Sequence, residues 1–121
     1  MTDVFMFIDG EQRSASGGAT FERRNPLDGG VATHAPSCTP ADAVAAVEAA
    51  QRAFATWSQT GPGERRSLLL KAAHALEART DAFVHAMARE TGASAQWAGF
   101  NVHLAAGLLT EAASLTTQIS P

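Results

Sequence analysis

The sequence predicts an α+β segment in which two small β-hairpins are followed by three or four helices. Three observations carry that reading. Strand-like stretches separated by turn dipeptides are confined to the first third of the chain. After Pro36 the apolar period lengthens to about three and a half residues. From Ser94 to Ile119 there is no proline, while large apolar side chains recur at helical spacing.

The elements follow in chain order. Val4-Phe5-Met6-Phe7-Ile8 is β-prone, Asp9-Gly10 is a hairpin dipeptide, and Thr20-Phe21-Glu22-Arg23 resumes the alternation after the loop Ser16-Gly17-Gly18. Asn25-Pro26-Leu27-Asp28-Gly29-Gly30 is a second turn, leading into a short strand from Val31 to Ala35. Thr39-Pro40-Ala41-Asp42 then offers an N-cap, a proline at N1 and an acid at N3, so a helix starts there. Val44, Val47, Phe54 and Trp57 fall on one of its faces with Ala50 in the gap, and Thr60-Gly61-Pro62-Gly63 stops it. A second helix runs from about Pro62 to Arg79 with Leu69, Ala72, Ala73 and Leu76 as its buried stripe. Thr80-Asp81 reads as a fresh cap for a short third helix carrying Phe83, Val84 and Met87 to a Gly92 stop. The last helix runs from Ser94 to about Ile119, with Trp97, Phe100, Leu104, Leu108, Ala112 and Leu115 in register; alone, Phe100, Leu104 and Leu108 are simply its buried face. No internal repeat, low-complexity linker or domain boundary is visible.

Composition narrows the function classes. At 121 residues the chain supports one modest core. The apolar fraction is 45%, but 26 residues are alanine, so large anchors are scarce and the helices call for close packing against further polypeptide. A net charge of -3 with only 9 Lys plus Arg gives no basic stripe to neutralise phosphates, which argues against nucleic acid. No apolar run approaches the roughly 20 residues of a membrane span, and Met1-Thr2-Asp3 does not open a signal peptide, so a cytoplasmic location is expected. One cysteine, Cys38, leaves no internal disulfide.

The chemistry-bearing residues point nowhere by themselves. His34, His74, His85 and His103 lie on different elements and make no metal spacing with a single cysteine. Cys38 stands beside a helix start, where the helix dipole favours a thiolate, but a bystander thiol fits the position better. Gly61-Pro62-Gly63 and Ser16-Gly17-Gly18 are turn signals, and neither forms a phosphate-cradling pattern. Glu90-Thr91-Gly92 is accounted for as a helix end with its left-handed glycine.

The order of segments carries more. Phe7-Ile8-Asp9-Gly10-Glu11, Asn25-Pro26-Leu27-Asp28-Gly29, Ala46-Val47-Glu48-Ala49-Ala50 with Ala53-Phe54 and Trp57, Glu64-Arg65, and Glu90-Thr91-Gly92 follow one another with characteristic gaps. Over nearly the whole chain this resembles the amino-terminal region of the aldehyde dehydrogenase superfamily. The stretch from Ala88-Arg89-Glu90-Thr91-Gly92 through Trp97-Ala98-Gly99-Phe100-Asn101-Val102 is most similar to its salicylaldehyde, benzaldehyde and vanillin dehydrogenase branch.

The resemblance implies that residues 1–121 begin an α/β NAD(P)-binding domain, with hairpins over 1–38 and helices over 39–121, and that the catalytic domain is absent. In that family a cysteine attacks the aldehyde, a hydride passes to the nicotinamide of NAD or NADP, and a glutamate activates the water that releases the acid. All three parts lie in later segments: Cys38 does not match the nucleophile, and Glu90 does not match the base. Ser120-Pro121 departs from the family's continuation, where a glycine is usual, so a truncation, a frameshift or an artificial end is expected, and the 121-residue chain is expected to be inactive and to bind no cofactor. Two roles carry over by position. Phe100, Asn101, Leu104 and Leu108 match the helix lining the substrate entrance and so would face an aromatic aldehyde. Glu90 matches a carboxylate that some members place on a structural monovalent cation, with carbonyl oxygens near Arg23 completing it. The intact family is usually a homodimer or homotetramer. The same motifs would also serve an enzyme for aliphatic aldehydes or semialdehydes, and amphipathic helices alone would also suit a free-standing interaction module.

Overall fold

A computed structural model describes residues 2–118, and the side chains from residue 4 onward. The departure at Ser120-Pro121 lies outside the described residues, whereas the helix expected to reach about Ile119 ends earlier, at Ser114. The chain forms two compact units, 1–59 and 60–121. The break falls at Thr60, in the turn that reads in the sequence only as a helix stop.

The first unit contains β1 (Thr2–Asp3), β2 (Met6–Ile8), β3 (Glu11–Arg13), β4 (Thr20–Arg24), β5 (Val31–Pro36) and α1 (Pro40–Trp57). Both hairpins are present. β2 pairs antiparallel with β3 in the register Ile8↔Glu11, across a two-residue turn. Asp9 and Gly10 both have positive φ, 58° and 78°, the left-handed pair that a type I′ turn requires and that Asp-Gly supplies at low cost. β4 pairs antiparallel with β5 around the Asn25–Gly30 loop, where the Asn25 side-chain oxygen accepts from the Leu27 amide at 3.0 Å and the Asp28 carboxylate from the Gly30 amide at 2.8 Å. The strand expected over Val4–Ile8 is shorter than that. Only Met6–Ile8 of it forms a strand, in the two-stranded sheet, whereas a separate strand ahead of it, β1, pairs parallel with β5, giving a three-stranded sheet of order β1-β5-β4. Parallel pairing between distant segments leaves no local turn signal, which is why the alternation alone missed it.

α1 begins as the sequence dictates. The Thr39 hydroxyl accepts from the Asp42 amide, the Asp42 carboxylate accepts from the Thr39 amide at 2.7 Å, and Pro40 occupies the first turn, where its missing N–H costs nothing. The buried positions of α1 are Asp42 and Ala49, however, and Val44, Val47, Phe54 and Trp57 are all exposed.

The second unit contains α2 (Pro62–Glu77), α3 (Thr80–Thr91) and α4 (Ala95–Ser114), with α4 packed on both α2 and α3. Thr80 lies inside α3 rather than capping it, because its hydroxyl donates back to the Glu77 carbonyl at 2.7 Å. Gly92 ends α3 at φ 70°, and its N–H donates to the Ala88 carbonyl, as a left-handed cap does. α4 is capped by the Ser94 hydroxyl, which accepts from the Trp97 amide at 3.2 Å. It stops at Ser114, ahead of Thr116 and Thr117, which are β-branched and poor helix formers.

The core is built from small residues. Among the described residues, eight of the ten buried apolar side chains are alanine, and the others are Ile8 and Val102. On α4 the buried positions are Ala98, Val102, Ala106 and Ala113, not the large residues that share their spacing. On α2 Ala73 is buried and Leu69 and Leu76 are half-buried, as expected, but Ala72 is exposed.

Candidate functional site

At 3.6 residues per turn, Trp97, Phe100, Leu104, Leu108 and Leu115 lie roughly 150° round α4 from its buried alanine stripe. They form an open apolar strip. Phe100 is 51% exposed, Leu104 46% and Leu108 62%. The expectation that these side chains form the helix's buried face is therefore corrected. Ala98 and Ala106 take that role because short side chains let two helix backbones approach closely, whereas the large residues would hold them apart.

The strip has internal order. The Trp97 and Phe100 rings stack with centroids 5.5 Å apart and planes inclined by 26°. Half-buried Asn101 flanks them on the next turn, and its side-chain NH2 donates to the Trp97 carbonyl at 2.8 Å. Trp97 thus joins the residues singled out in the sequence. Its place in the helical register was legible; its outward direction was not. A separate cavity of about 460 Å³ in the same unit is lined by Thr60, Pro62, Arg65, Thr116 and Thr117 and does not include the strip.

Glu90 is half-buried in the last turn of α3, just before the Gly92 cap. A carboxylate there sits at the negative end of the helix dipole, a placement that favours a nearby positive charge. Arg23 lies in β4 of the other unit. His34 is on β5, His74 on α2, His85 on α3 and His103 on α4. Among the described residues no three His, Cys, Asp or Glu side chains are grouped to hold a metal ion.

Cys38 is exposed, one residue before the α1 cap, with its sulfur 3.6 Å from the Pro36 carbonyl oxygen. A polar cluster lies at nearby Asp42. Its carboxylate accepts from the Ser16 hydroxyl at 2.6 Å, the Thr39 amide at 2.7 Å, the Ser16 amide at 3.1 Å and the Thr39 hydroxyl at 3.0 Å. These bonds, the Ser16 hydroxyl foremost and the Thr39 amide next, hold its pKa down at about 2 against the opposing effect of desolvation. Asp42 thereby pins the Ser16 loop to the start of α1. The sequence reveals the Thr39–Asp42 half of that cluster, whereas Ser16 is 26 positions away and carries no local signal.

The strip is a helix-supported apolar wall. The sequence pattern of the aldehyde dehydrogenase family matches residues 13–121, and the chain belongs to that family. It is 53% identical over 120 residues to a vanillin dehydrogenase of Pseudomonas fluorescens, an alignment covering 99% of this chain and 25% of the relative. The crystal structure of a salicylaldehyde dehydrogenase from Pseudomonas putida G7, complexed with salicylaldehyde, superposes with a TM-score of 0.94 at 47% identity, over 98% of this chain and 24% of that one. An NAD-dependent aldehyde dehydrogenase from Sinorhizobium meliloti also superposes with a TM-score of 0.94, at 27% identity over 98% of this chain and 24% of that one. The chain spans about a quarter of the length of these proteins. No helix of the described residues is long and apolar enough to cross a membrane.

Proposed function

We propose that residues 1–121 form the amino-terminal part of the cofactor-binding domain of an NAD(P)-dependent dehydrogenase that oxidises an aromatic aldehyde, of the salicylaldehyde, benzaldehyde or vanillin type, to its acid. The observation that carries the proposal is the exposed strip of α4. Phe100, Leu104 and Leu108 occupy the outer face of a helix whose inner face is fully served by small residues, so they are available to a ligand. The names of the similar Pseudomonas enzymes, vanillin and salicylaldehyde dehydrogenase, support an aromatic occupant.

The chemistry that a bound NAD(P) would supply is that of a hydride acceptor. This segment contains no glycine-rich phosphate loop, and no cofactor contact is assigned to it. Its own contribution is to position the substrate. Phe100, Asn101, Leu104 and Leu108 form one wall of the entrance, and Glu90 supplies a carboxylate to a structural monovalent cation. The intact enzyme works as a homodimer or homotetramer in the cytoplasm.

The test is Phe100→Ala in the full-length enzyme, assayed by cofactor reduction with benzaldehyde and with a short aliphatic aldehyde. Loss of one ring contact shifts the ratio of kcat/KM values by about 1–3 kcal/mol against the aromatic substrate. An unchanged ratio removes Phe100 from the wall.

A further inference from the structure

The strip contains one polar side chain whose orientation is fixed from within the helix. Asn101 spends a side-chain N–H on the Trp97 carbonyl at 2.8 Å. A carbonyl only accepts, so the amide must turn its nitrogen towards the backbone and its Oδ1 away from it. Among the described residues Oδ1 receives no hydrogen bond. By helical register Asn101 stands beside the Trp97–Phe100 ring pair, with Leu104 and Leu108 on the following turns. Asn101 thus offers a neutral acceptor, oriented from within the helix, at the edge of the aromatic and aliphatic wall, while exposed Glu111 stands on the same side nearer the end of α4.

We propose that Asn101 is a specificity-determining residue whose Oδ1 accepts a hydrogen bond from a ring hydroxyl, so that the site prefers phenolic aldehydes to unsubstituted or purely alkyl-substituted aromatic ones. The proposal rests on the reading that this strip of α4 lines the substrate entrance. It assigns to one residue a discrimination that the apolar residues cannot make, because ring contacts with Phe100 and Leu104 are equally available to benzaldehyde and to its hydroxylated derivatives. A neutral acceptor serves a neutral phenol, which donates its O–H. A phenolate would offer no hydrogen, and only the remaining N–H of the amide could meet it. An unsubstituted ring that covers Oδ1 strips it of water without replacing the lost bond, so discrimination arises from the unpaired acceptor as well as from the bond itself.

The experiment measures kcat/KM of the full-length enzyme for 2-, 3- and 4-hydroxybenzaldehyde, the position-matched fluorobenzaldehydes and benzaldehyde. Fluorine approaches hydroxyl in size but cannot donate. For the isomer that reaches Oδ1, the expected result is a hydroxyl-over-fluoro preference of roughly tenfold in the unaltered enzyme, the scale of one neutral hydrogen bond. Asn101→Leu, which keeps the volume and removes the acceptor, is expected to bring the hydroxyl-to-fluoro ratio close to one, whatever its effect on the absolute rates. A general packing defect would lower all substrates together and leave the ratio intact. No hydroxyl preference for any isomer in the unaltered enzyme, or a preference that survives Asn101→Leu, overturns the proposal. Phe100→Ala separates the two readings. If it shifts the aromatic-to-aliphatic ratio while Asn101→Leu leaves the hydroxyl preference intact, the wall stands and the role of Asn101 falls. If neither variant shifts its ratio, both fall.

Discussion

The two faces of α4 make opposite predictions for stability. Ala106 is 2% exposed, on the face packed against α2 and α3, and Leu108 is 62% exposed on the other side of the same helix. Ala106→Leu forces three extra carbons into a closely packed helix contact, and overpacking of this kind costs about 1–3 kcal/mol. Leu108→Ala removes a side chain of which only about two fifths is withdrawn from water. From about 2 kcal/mol for full burial of a leucine, roughly 0.8 kcal/mol is at stake, and the better helix propensity of alanine offsets part of it. The conservative-looking addition should therefore destabilise more than the truncation, by about 1 kcal/mol. For a folding unit of this size that gap separates the melting temperatures by roughly 4–8 °C. The assay is thermal and urea unfolding of the 121-residue chain followed by helical circular dichroism, at several concentrations so that self-association through the exposed strip is recognised. A Leu108→Ala loss equal to or larger than that of Ala106→Leu would show that the large residues, not the alanines, hold the unit together.

Two further outcomes are expected. The 121-residue chain mixed with benzaldehyde or salicylaldehyde and either nicotinamide cofactor should give a flat absorbance trace; sustained turnover abolished by Cys38→Ala would instead place the nucleophile in this segment. Because the pKa of Asp42 lies at about 2, below the 3.8 of a free aspartate, its stabilising effect is complete above about pH 4 and is lost as the pH falls towards 2. Stability of the chain compared at pH 5 and pH 2.5 should fall less in Asp42→Asn than in the unaltered protein, and an equal fall in both would remove Asp42 as a source of acid sensitivity.

What was legible in the sequence follows the range of the interactions. The α1 cap, the Asp9-Gly10 turn and the left-handed Gly92 stop depend on residues within four positions of one another, and each appears where the sequence puts it. The parallel pairing of β1 with β5 and the Ser16 bonds to Asp42 join residues tens of positions apart and left no trace in any short window. The faces of α1 and α4 failed for a different reason. On α4, Ala98, Val102, Ala106 and Ala113 recur with the same helical period as Phe100, Leu104 and Leu108, so periodicity offers two stripes and cannot choose between them. Side-chain size favours the wrong one whenever helices pack closely enough to require alanine.

That ambiguity also bears on function. A ligand wall needs side chains held in place by something other than the ligand, and α4 is fixed at both ends. The Ser94 hydroxyl caps its first turn, and the Arg66 guanidinium of α2 donates through Nε to the Ala113 carbonyl at 3.1 Å, meeting an end-of-helix acceptor with a positive charge. Between those anchors the alanine face sets the depth of the helix against its neighbours, and the positions of Phe100, Asn101 and Leu104 follow from it. The small residues therefore determine where the large ones point, and a change on the buried face, such as Ala106→Leu, would be felt at the aromatic strip without touching it.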